Sequence, residues 1–323
     1  MMITSKKAIY NYIIRGNYKY PLVPFGQKNT PPDPSHLLGN TPMCDDVRET
    51  THLLGDLYKS NRPKIFCSLG RDISDNKMVI GDFHKVRQLL ISGLQGSGKS
   101  NSLTYIMLSM LFGNHPLALD LRIFDIKREF SFFEGVAKTY VKKEEMTKGV
   151  DELKKIMKRR YAILQQSKER NIADYNALQI NIGGEIMKYI VVVVDEYAST
   201  ASRIENFNED FERLANMGRA CGIYLIISTQ SADRESLSPK IKRNIFCNLV
   251  FAQRDEHAAR IAGVENAHHI DAIGEVGTAI CDINRKRRVV HFAEIKTKEL
   301  KNAIARIKKF FSAPSRQGWT GLS

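Results

Sequence analysis

Gly93-Leu94-Gln95-Gly96-Ser97-Gly98-Lys99-Ser100 is the stretch that decides the fold. It satisfies G-x-x-x-x-G-K-[ST] at every fixed position, and its flanks are the ones the chemistry requires. Before it, Gln88-Leu89-Leu90-Ile91-Ser92 is a short apolar run of buried-strand type. After it, Leu103–Leu111 is long and apolar enough for a buried helix. Strand, glycine loop and helix N-terminus together make a phosphate site. The glycines let backbone N–H groups turn inward, and the helix dipole favours the anion. In this pattern Lys99 reaches the β- and γ-phosphates of a nucleotide and the Ser100 hydroxyl sits on Mg²⁺. The candidate cofactor contacts are Gly93, Leu94, Gln95, Gly96, Ser97, Gly98, Lys99 and Ser100, with Asn101 following in the first helical turn.

Working outward, Tyr189-Ile190-Val191-Val192-Val193-Val194 is followed by Asp195-Glu196. Four consecutive valines argue for a central strand buried on both faces. Asp195 can hold Mg²⁺ through water, and Glu196 can polarise the attacking water. The pair falls about 95 residues after the loop, and the expectation is that the two halves of the site occupy neighbouring strand ends. Leu121–Asp125 is a second parallel-strand candidate. It ends in Asp125-Ile126-Lys127-Arg128, at the carboxyl end where open α/β sheets place their sites. Phe207, Phe211 and Leu214 mark an amphipathic helix closing at Met217–Gly222, with Gly222 suited to the residue after the helix. The next buried strand, Ile223–Ser228, ends in Thr229-Gln230, a polar pair able to touch the γ-phosphate or its water.

The flanks are read with the same rules. Ile65–Gly70 and Lys77–Gly81 are short strands around the turn Asp72–Asn76. Val150, Leu153, Ile156, Met157, Tyr161 and Leu164 repeat at helical spacing, with Lys154, Lys155, Lys158, Arg159 and Arg160 on the other face, either solvated or available to nucleic acid. Ile245–Phe251 is a strand and Arg254–Ala262 a short helix. Val276–Cys281 is expected to pair with Val289–Phe292 around Asp282–Arg288, which would set Arg285, Lys286, Arg287 and Arg288 on one tip. Four adjacent cations repel unless phosphate neutralises them, so a nucleic-acid contact is expected there. Thr297–Phe311 is a basic amphipathic helix.

Composition agrees. The 323 residues carry a formal net charge of +14, which favours a polyanionic partner, nucleic acid first and an anionic membrane surface second. Five cysteines, odd in number and without a C-x-x-C, read as reduced thiols. There is no run of eighteen apolar residues and no signal-peptide core, so a cytoplasmic protein without its own membrane span is expected. Residues 1–60 stand apart. Met1–Lys28 interleaves aromatics with Lys and Arg, which suits either base stacking or a small docking segment packed on the main domain, with residues 1–60 also open to a docking partner. Six of the ten prolines fall between Pro21 and Pro42, as in a semi-rigid linker. The expected organisation is an extension over 1–60, one catalytic domain over 61–313 and a tail over 314–323.

Leu69-Gly70-Arg71-Asp72-Ile73-Ser74, the Gly93–Ser100 loop, Asp125-x-Lys127-Arg128, Arg159-Arg160-Tyr161, Asn171-Ile172-x-x-Tyr175-Asn176, Val191–Glu196 and Arg219–Gln230 occur here in an order that resembles the FtsK/SpoIIIE motor domain, over residues 61–311. The resemblance implies an α/β fold, a RecA-like P-loop NTPase with a mostly parallel central sheet flanked by helices. It implies an ATPase that binds ATP and Mg²⁺ and forms a homo-oligomeric, usually hexameric, ring pumping double-stranded DNA through a pore. It also implies roles. Lys99 and Ser100 bind ATP and Mg²⁺, Asp195 supports the metal, Glu196 activates water and Gln230 senses the γ-phosphate. Arg219 is a candidate finger into the neighbour's site, with Arg159, Arg160 and Arg254 as alternates, and Arg285–Arg288 would lie toward the pore. Because helix and strand run antiparallel, Arg219 is expected at the end of the sheet opposite its own nucleotide. The chain departs from chromosomal members in having no membrane-spanning N-terminal region and no winged-helix domain after Phe311. The expectation is therefore a compact motor of a plasmid, phage or other mobile element. The alternatives are a related ring ATPase driving protein secretion and a non-motor, DNA-binding nucleotide switch.

Overall fold

The computed structural model describes residues 64–114, 118–230, 237–264, 267, 268, 270 and 276–312. The expectations for residues 1–60 and 314–323 lie outside the described residues.

The apolar runs become strands of one sheet: β1 (Phe66–Asp72), β2 (Met78–Asp82), β3 (Gln88–Ser92), β4 (Leu119–Asp125), β5 (Lys138–Tyr140), β6 (Tyr189–Asp195), β7 (Ile223–Thr229), β8 (Ile245–Val250), β9 (Thr278–Ile283) and β10 (Lys286–His291). Their order across the sheet is β2-β1-β10-β9-β8-β3-β7-β6-β4-β5. From β8 to β5 every pairing is parallel; from β8 to β2 every pairing is antiparallel. The mostly parallel α/β sheet is as expected.

Five longer helices cover the sheet: α1 (Lys99–Gly113), α2 (Lys143–Gln166), α3 (Ile172–Ile182), α4 (Phe207–Met217) and α5 (Thr297–Ser312). Strand alternation explains the valine run. Val191 and Val193 point into a core shared with Leu103, Ile106 and Met107 of α1 and Ala303 and Ile307 of α5. Val192 and Val194 point into the opposite core, with Val150 and Leu153 of α2 and Phe207, Phe211 and Leu214 of α4. Helix α1 is apolar on all sides because β1 takes the side the central strands leave. The Ser68 N–H donates to Ser109 Oγ (2.9 Å), and the Asn114 side chain accepts from the Phe66 N–H (3.0 Å) while donating to its carbonyl (2.8 Å).

One local expectation is corrected. The β9–β10 turn is only two residues, Asn284 and Arg285, both at left-handed φ (52° and 67°). That is the twist-matched hairpin turn, and the ladder runs without a break from Ile283↔Lys286 to Thr278↔His291. Lys286, Arg287 and Arg288 therefore belong to β10, and successive residues of a strand face opposite sides. The four cations do not share one tip.

Candidate nucleotide site

The site forms along the carboxyl ends of β3, β7, β6 and β4. Ser92 at the end of β3 is level with Thr229 at the end of β7, and Asp125 at the end of β4 is level with Asp195 at the end of β6. The two halves expected on neighbouring strands are separated by one strand, because the chain returns through α4 to insert β7 between β3 and β6. That insertion brings Thr229-Gln230 between the phosphate loop and the acidic pair.

The loop is anchored from below. The Leu94 N–H donates to Ala252 O (3.0 Å), and the Gly277 N–H, just before β9, donates to Ser97 O (3.1 Å). Gly98 starts α1 at φ 105°. A Cβ there would lie 2.7 Å from Gly277 Cα and 2.8 Å from its nitrogen, so two backbones touch at this point. Gly96, at φ 80°, has nothing within 4 Å of such a Cβ and marks the open side of the loop. Lys99 Nζ curls over the loop and donates to the carbonyls of Gly93 (2.6 Å) and Leu94 (2.7 Å). Burial pulls its ammonium below the ordinary range, with Glu196 pulling the other way. Leu94, Gln95, Gly96 and Ser100 are exposed. Asn101 faces elsewhere: its amide donates to Ala293 O (2.9 Å) and accepts from the Ile295 N–H (2.9 Å), tying α1 to the segment after β10 instead of facing the loop.

Asp195 is buried, and among the described residues its Oδ2 has no hydrogen-bond partner. Burial pushes its carboxyl up to about 7, opposed by Lys127 and reinforced by Glu129, Asp125 and Glu196. An unpartnered carboxylate oxygen on one strand end and an exposed serine hydroxyl at the head of α1 are hard oxygen donors of the kind Mg²⁺ takes alongside phosphate oxygens. Among the described residues there is no cluster of three His, Cys, Asp or Glu that could hold a metal ion. Glu196 sits beside Asp195 at φ 52°. Its Oε2 lies 3.2 Å from Lys127 Nζ and its Oε1 accepts from the Gln230 N–H at 3.3 Å. Burial works against the Lys127 charge, yet Asp195 and Glu196 hold its ammonium above the ordinary range.

Of the predicted cations, Arg219 and the hairpin turn fall at the opposite, amino-terminal end of the parallel strands, whereas Arg254 follows β8 at the carboxyl end, two residues past Ala252, which holds the loop. Arg219 lies in the short turn Gly218–Cys221 just before β7, which begins level with the start of β6. Seven residues of strand, about 23 Å at ~3.3 Å each, separate it from Gln230. Its exposed side chain is near enough to Arg87 for the two charges to oppose each other and lower the Arg87 pKa, after the larger effect of burial. Arg160, an alternate, is occupied: it donates to the carbonyls of Cys221 (2.7 Å) and Lys188 (2.6 Å). Within the hairpin, Arg287 pairs with Asp282 (3.0 Å) and Arg288 with Asp72 (3.3 Å). Carboxylates thus relieve half of the repulsion on which the phosphate expectation rested. Arg285 and Lys286 have no ion pair among the described residues.

Two participants escaped the sequence reading. Lys127 was placed at a strand end without a partner, and the only signal was its position two residues past Asp125. Gly277 gave no signal: it falls inside the strand expected over Val276–Cys281, whereas the structure starts that strand at Thr278.

The sequence profile of the FtsK/SpoIIIE family matches residues 51–233, more than half of the chain. A Campylobacter jejuni protein described as DNA translocase FtsK is 35% identical over 201 residues, 60% of this chain and 21% of that protein. A Staphylococcus aureus protein of the same description is 30% identical over 240 residues, 69% and 30% of the two chains. The chain thus spans between about a fifth and a third of the length of these relatives. Among solved structures, the pCW3 conjugation coupling protein TcpA, in a monomer form with ATPγS, superposes with a TM-score of 0.64 at 22% identity, covering 76% of this chain and 70% of that one. The cytoplasmic domain of the Thermomonospora curvata type VII secretion ATPase EccC gives 0.64 at 19%, covering 77% and 31%. These two share the fold, that of P-loop ATPases.

Proposed function

The chain belongs to the FtsK/SpoIIIE family, and from that membership we propose that it is an ATPase that moves double-stranded DNA. The observation that carries the reading is the completeness of the site inside the matched span: residues 51–233 contain the phosphate loop, Asp195, Glu196 and Gln230. Relatives over 30% identical are described as DNA translocases, and the net charge of +14 suits a polyanionic substrate.

In this reading the loop N–H groups and the head of α1 receive the phosphates, and Lys99 exchanges its loop carbonyls for phosphate oxygens. Mg²⁺, held by Ser100 and supported by Asp195, would neutralise charge on the transferred phosphoryl group. Glu196 orients the attacking water and takes its proton. Gln230, bonded to Glu196 through its backbone, is placed to report the γ-phosphate to β7. Arg219 cannot reach its own nucleotide across the sheet, so it acts on a neighbouring subunit's site in a ring. On the DNA side, Arg285 and Lys286 are the hairpin cations available to phosphates. Among the described residues no helix is long and apolar enough to cross a membrane.

The test is the ATPase rate of the purified chain with and without linear duplex DNA. Strong stimulation is expected, abolished by Lys99→Ala and by Glu196→Gln. Joint neutralisation of Arg285 and Lys286 should weaken stimulation without lowering the DNA-free rate. A rate indifferent to duplex DNA removes the DNA reading and leaves protein secretion or nucleotide switching.

A further inference from the structure

We propose that Lys127 is a positioning residue, fixing the carboxylate of Glu196 for its work on water; the inference rests on the reading of Glu196 just given. Lys127 is not a loose surface lysine. It lies in the turn that follows β4, and Asp125 clamps that turn: Oδ1 accepts from the Glu129 N–H (3.0 Å) and Oδ2 from the Phe130 N–H (2.8 Å). The Arg128 N–H returns to the Asp125 carbonyl at 3.3 Å, and Arg128 adopts φ 60° to close the turn. A tight turn built on a buried carboxylate gives the lysine a defined origin.

The target is equally constrained. β6 lies between β7 and β4, and Glu196 at its end receives one donor from each side. The Gln230 N–H reaches Oε1 from the β7 end at 3.3 Å, and Lys127 Nζ reaches Oε2 from the β4 end at 3.2 Å. The Glu196 backbone is itself left-handed, with its carbonyl accepting from the Thr200 N–H at 3.1 Å. A non-glycine residue held in a sparsely populated conformation is a mark of a side chain being aimed. Remove Lys127 and one backbone N–H is left to hold a side chain with three rotatable bonds.

The exposure of the pair fits a functional contact better than a stabilising one. The Lys127 side chain is 37% accessible and that of Glu196 9%. The lysine can be replaced without opening a core cavity, whereas the carboxylate it holds is almost enclosed. Glu196 is the only ion-pair partner of Lys127 among the described residues. Misaiming a reacting group by about 1 Å costs on the order of 10²-fold in rate, and such a loss falls on the chemical step.

The experiment uses the full chain with saturating duplex DNA, measuring kcat and KM for ATP and the affinity for a fluorescent ATP analogue. Lys127→Met should lower kcat by about 10- to 100-fold, with KM and analogue affinity close to wild type. Lys127→Arg, which keeps a charged donor, should recover most of the rate. On a Glu196→Gln background Lys127→Met should cost nothing further. Wild-type turnover in Lys127→Met overturns the proposal, and so does a raised DNA-free rate, which would make Lys127 a brake. An undiminished effect on the Glu196→Gln background overturns it too, as does loss of analogue binding in both Lys127→Met and Lys127→Gln, which would make the residue structural. Wild-type turnover in Glu196→Gln alone overturns the reading of Glu196 instead, whatever the lysine variants do.

Discussion

Alanine at Gly98 should destabilise the fold more than alanine at Gly96, although the two glycines are two residues apart in one loop. Both sit at positive φ, 105° and 80°, where a Cβ costs about 1–2 kcal/mol. Both substitutions also remove flexibility from the unfolded chain, and that stabilising effect of about 0.4–1 kcal/mol cancels in the comparison. What differs is space. A Cβ at Gly96 meets nothing within 4 Å, while one at Gly98 lies 2.7 Å from Gly277 Cα and 2.8 Å from its nitrogen. Neither obstacle is a side chain that can rotate away, so the foot of β9 must move. The Gly277 N–H to Ser97 O bond (3.1 Å) is the first to stretch, at a net cost of about 0.5–1.5 kcal/mol. Gly98→Ala should therefore be about 1–2 kcal/mol less stable than Gly96→Ala, a further fall in Tm of about 2–8 °C for a domain of this size. Thermal unfolding without nucleotide, followed by circular dichroism, reads the difference directly. Equal Tm values would mean that the loop and the hairpin foot do not press on each other, and the bracing argument fails.

Two further outcomes follow from the same geometry. Asp195 holds its proton in the fold up to about pH 7 against an ordinary 3.8, so the folded state binds more protons than the unfolded one across that window and stability falls as pH rises through it. Without nucleotide and metal, Asp195→Asn should thus gain in Tm over wild type at pH 8 relative to pH 4, and a pH-independent difference would refute the burial argument. Arg219→Ala and Lys99→Ala should each lack DNA-stimulated ATPase activity, yet a mixture should recover part of it, because some interfaces then pair an intact loop with an intact arginine. No recovery, or near-normal turnover by Arg219→Ala alone, makes Arg219 structural.

The phosphate loop, the valine strand with its acidic end and the Arg219–Gln230 segment were legible because each combines a local pattern with a physical requirement that admits few alternatives. Glycines free the loop backbone, and a strand buried on both faces must be apolar at successive positions. The order of strands was not legible. Nothing local to Val191–Val194 or Ile223–Ser228 says that β7 enters between β3 and β6, since that depends on which way the chain crosses after α4. The hairpin was misjudged for a related reason. Arg287 and Arg288 read as repelling charges in the sequence because their partners are remote or hidden in the ladder. Asp72 is 216 residues from Arg288, and Asp282 meets Arg287 only when the turn is two residues long. Asn101 was assigned to the cofactor by adjacency to Ser100, but helical rotation carries its amide round to residues 293–295.

Those last contacts tie the phosphate-loop end of the sheet to the β9–β10 hairpin. The foot of the hairpin is bonded to the loop on one side and to the helix it opens on the other: Gly277 to Ser97 before β9, and Ala293 and Ile295 to Asn101 of α1 after β10. The Phe292 N–H donates to Gly277 O at 3.0 Å and closes the foot on itself. From there an unbroken six-pair ladder runs to Asn284-Arg285, and the Asn284 N–H is held by Phe246 O at 3.0 Å near the start of β8. Six residues at ~3.4 Å each make the hairpin about 20 Å long, so its cationic turn sits at the same end of the sheet as Arg87 and Arg219. The phosphate loop and the hairpin turn that carries Arg285 are therefore parts of one hydrogen-bonded body, although the full depth of the sheet lies between them.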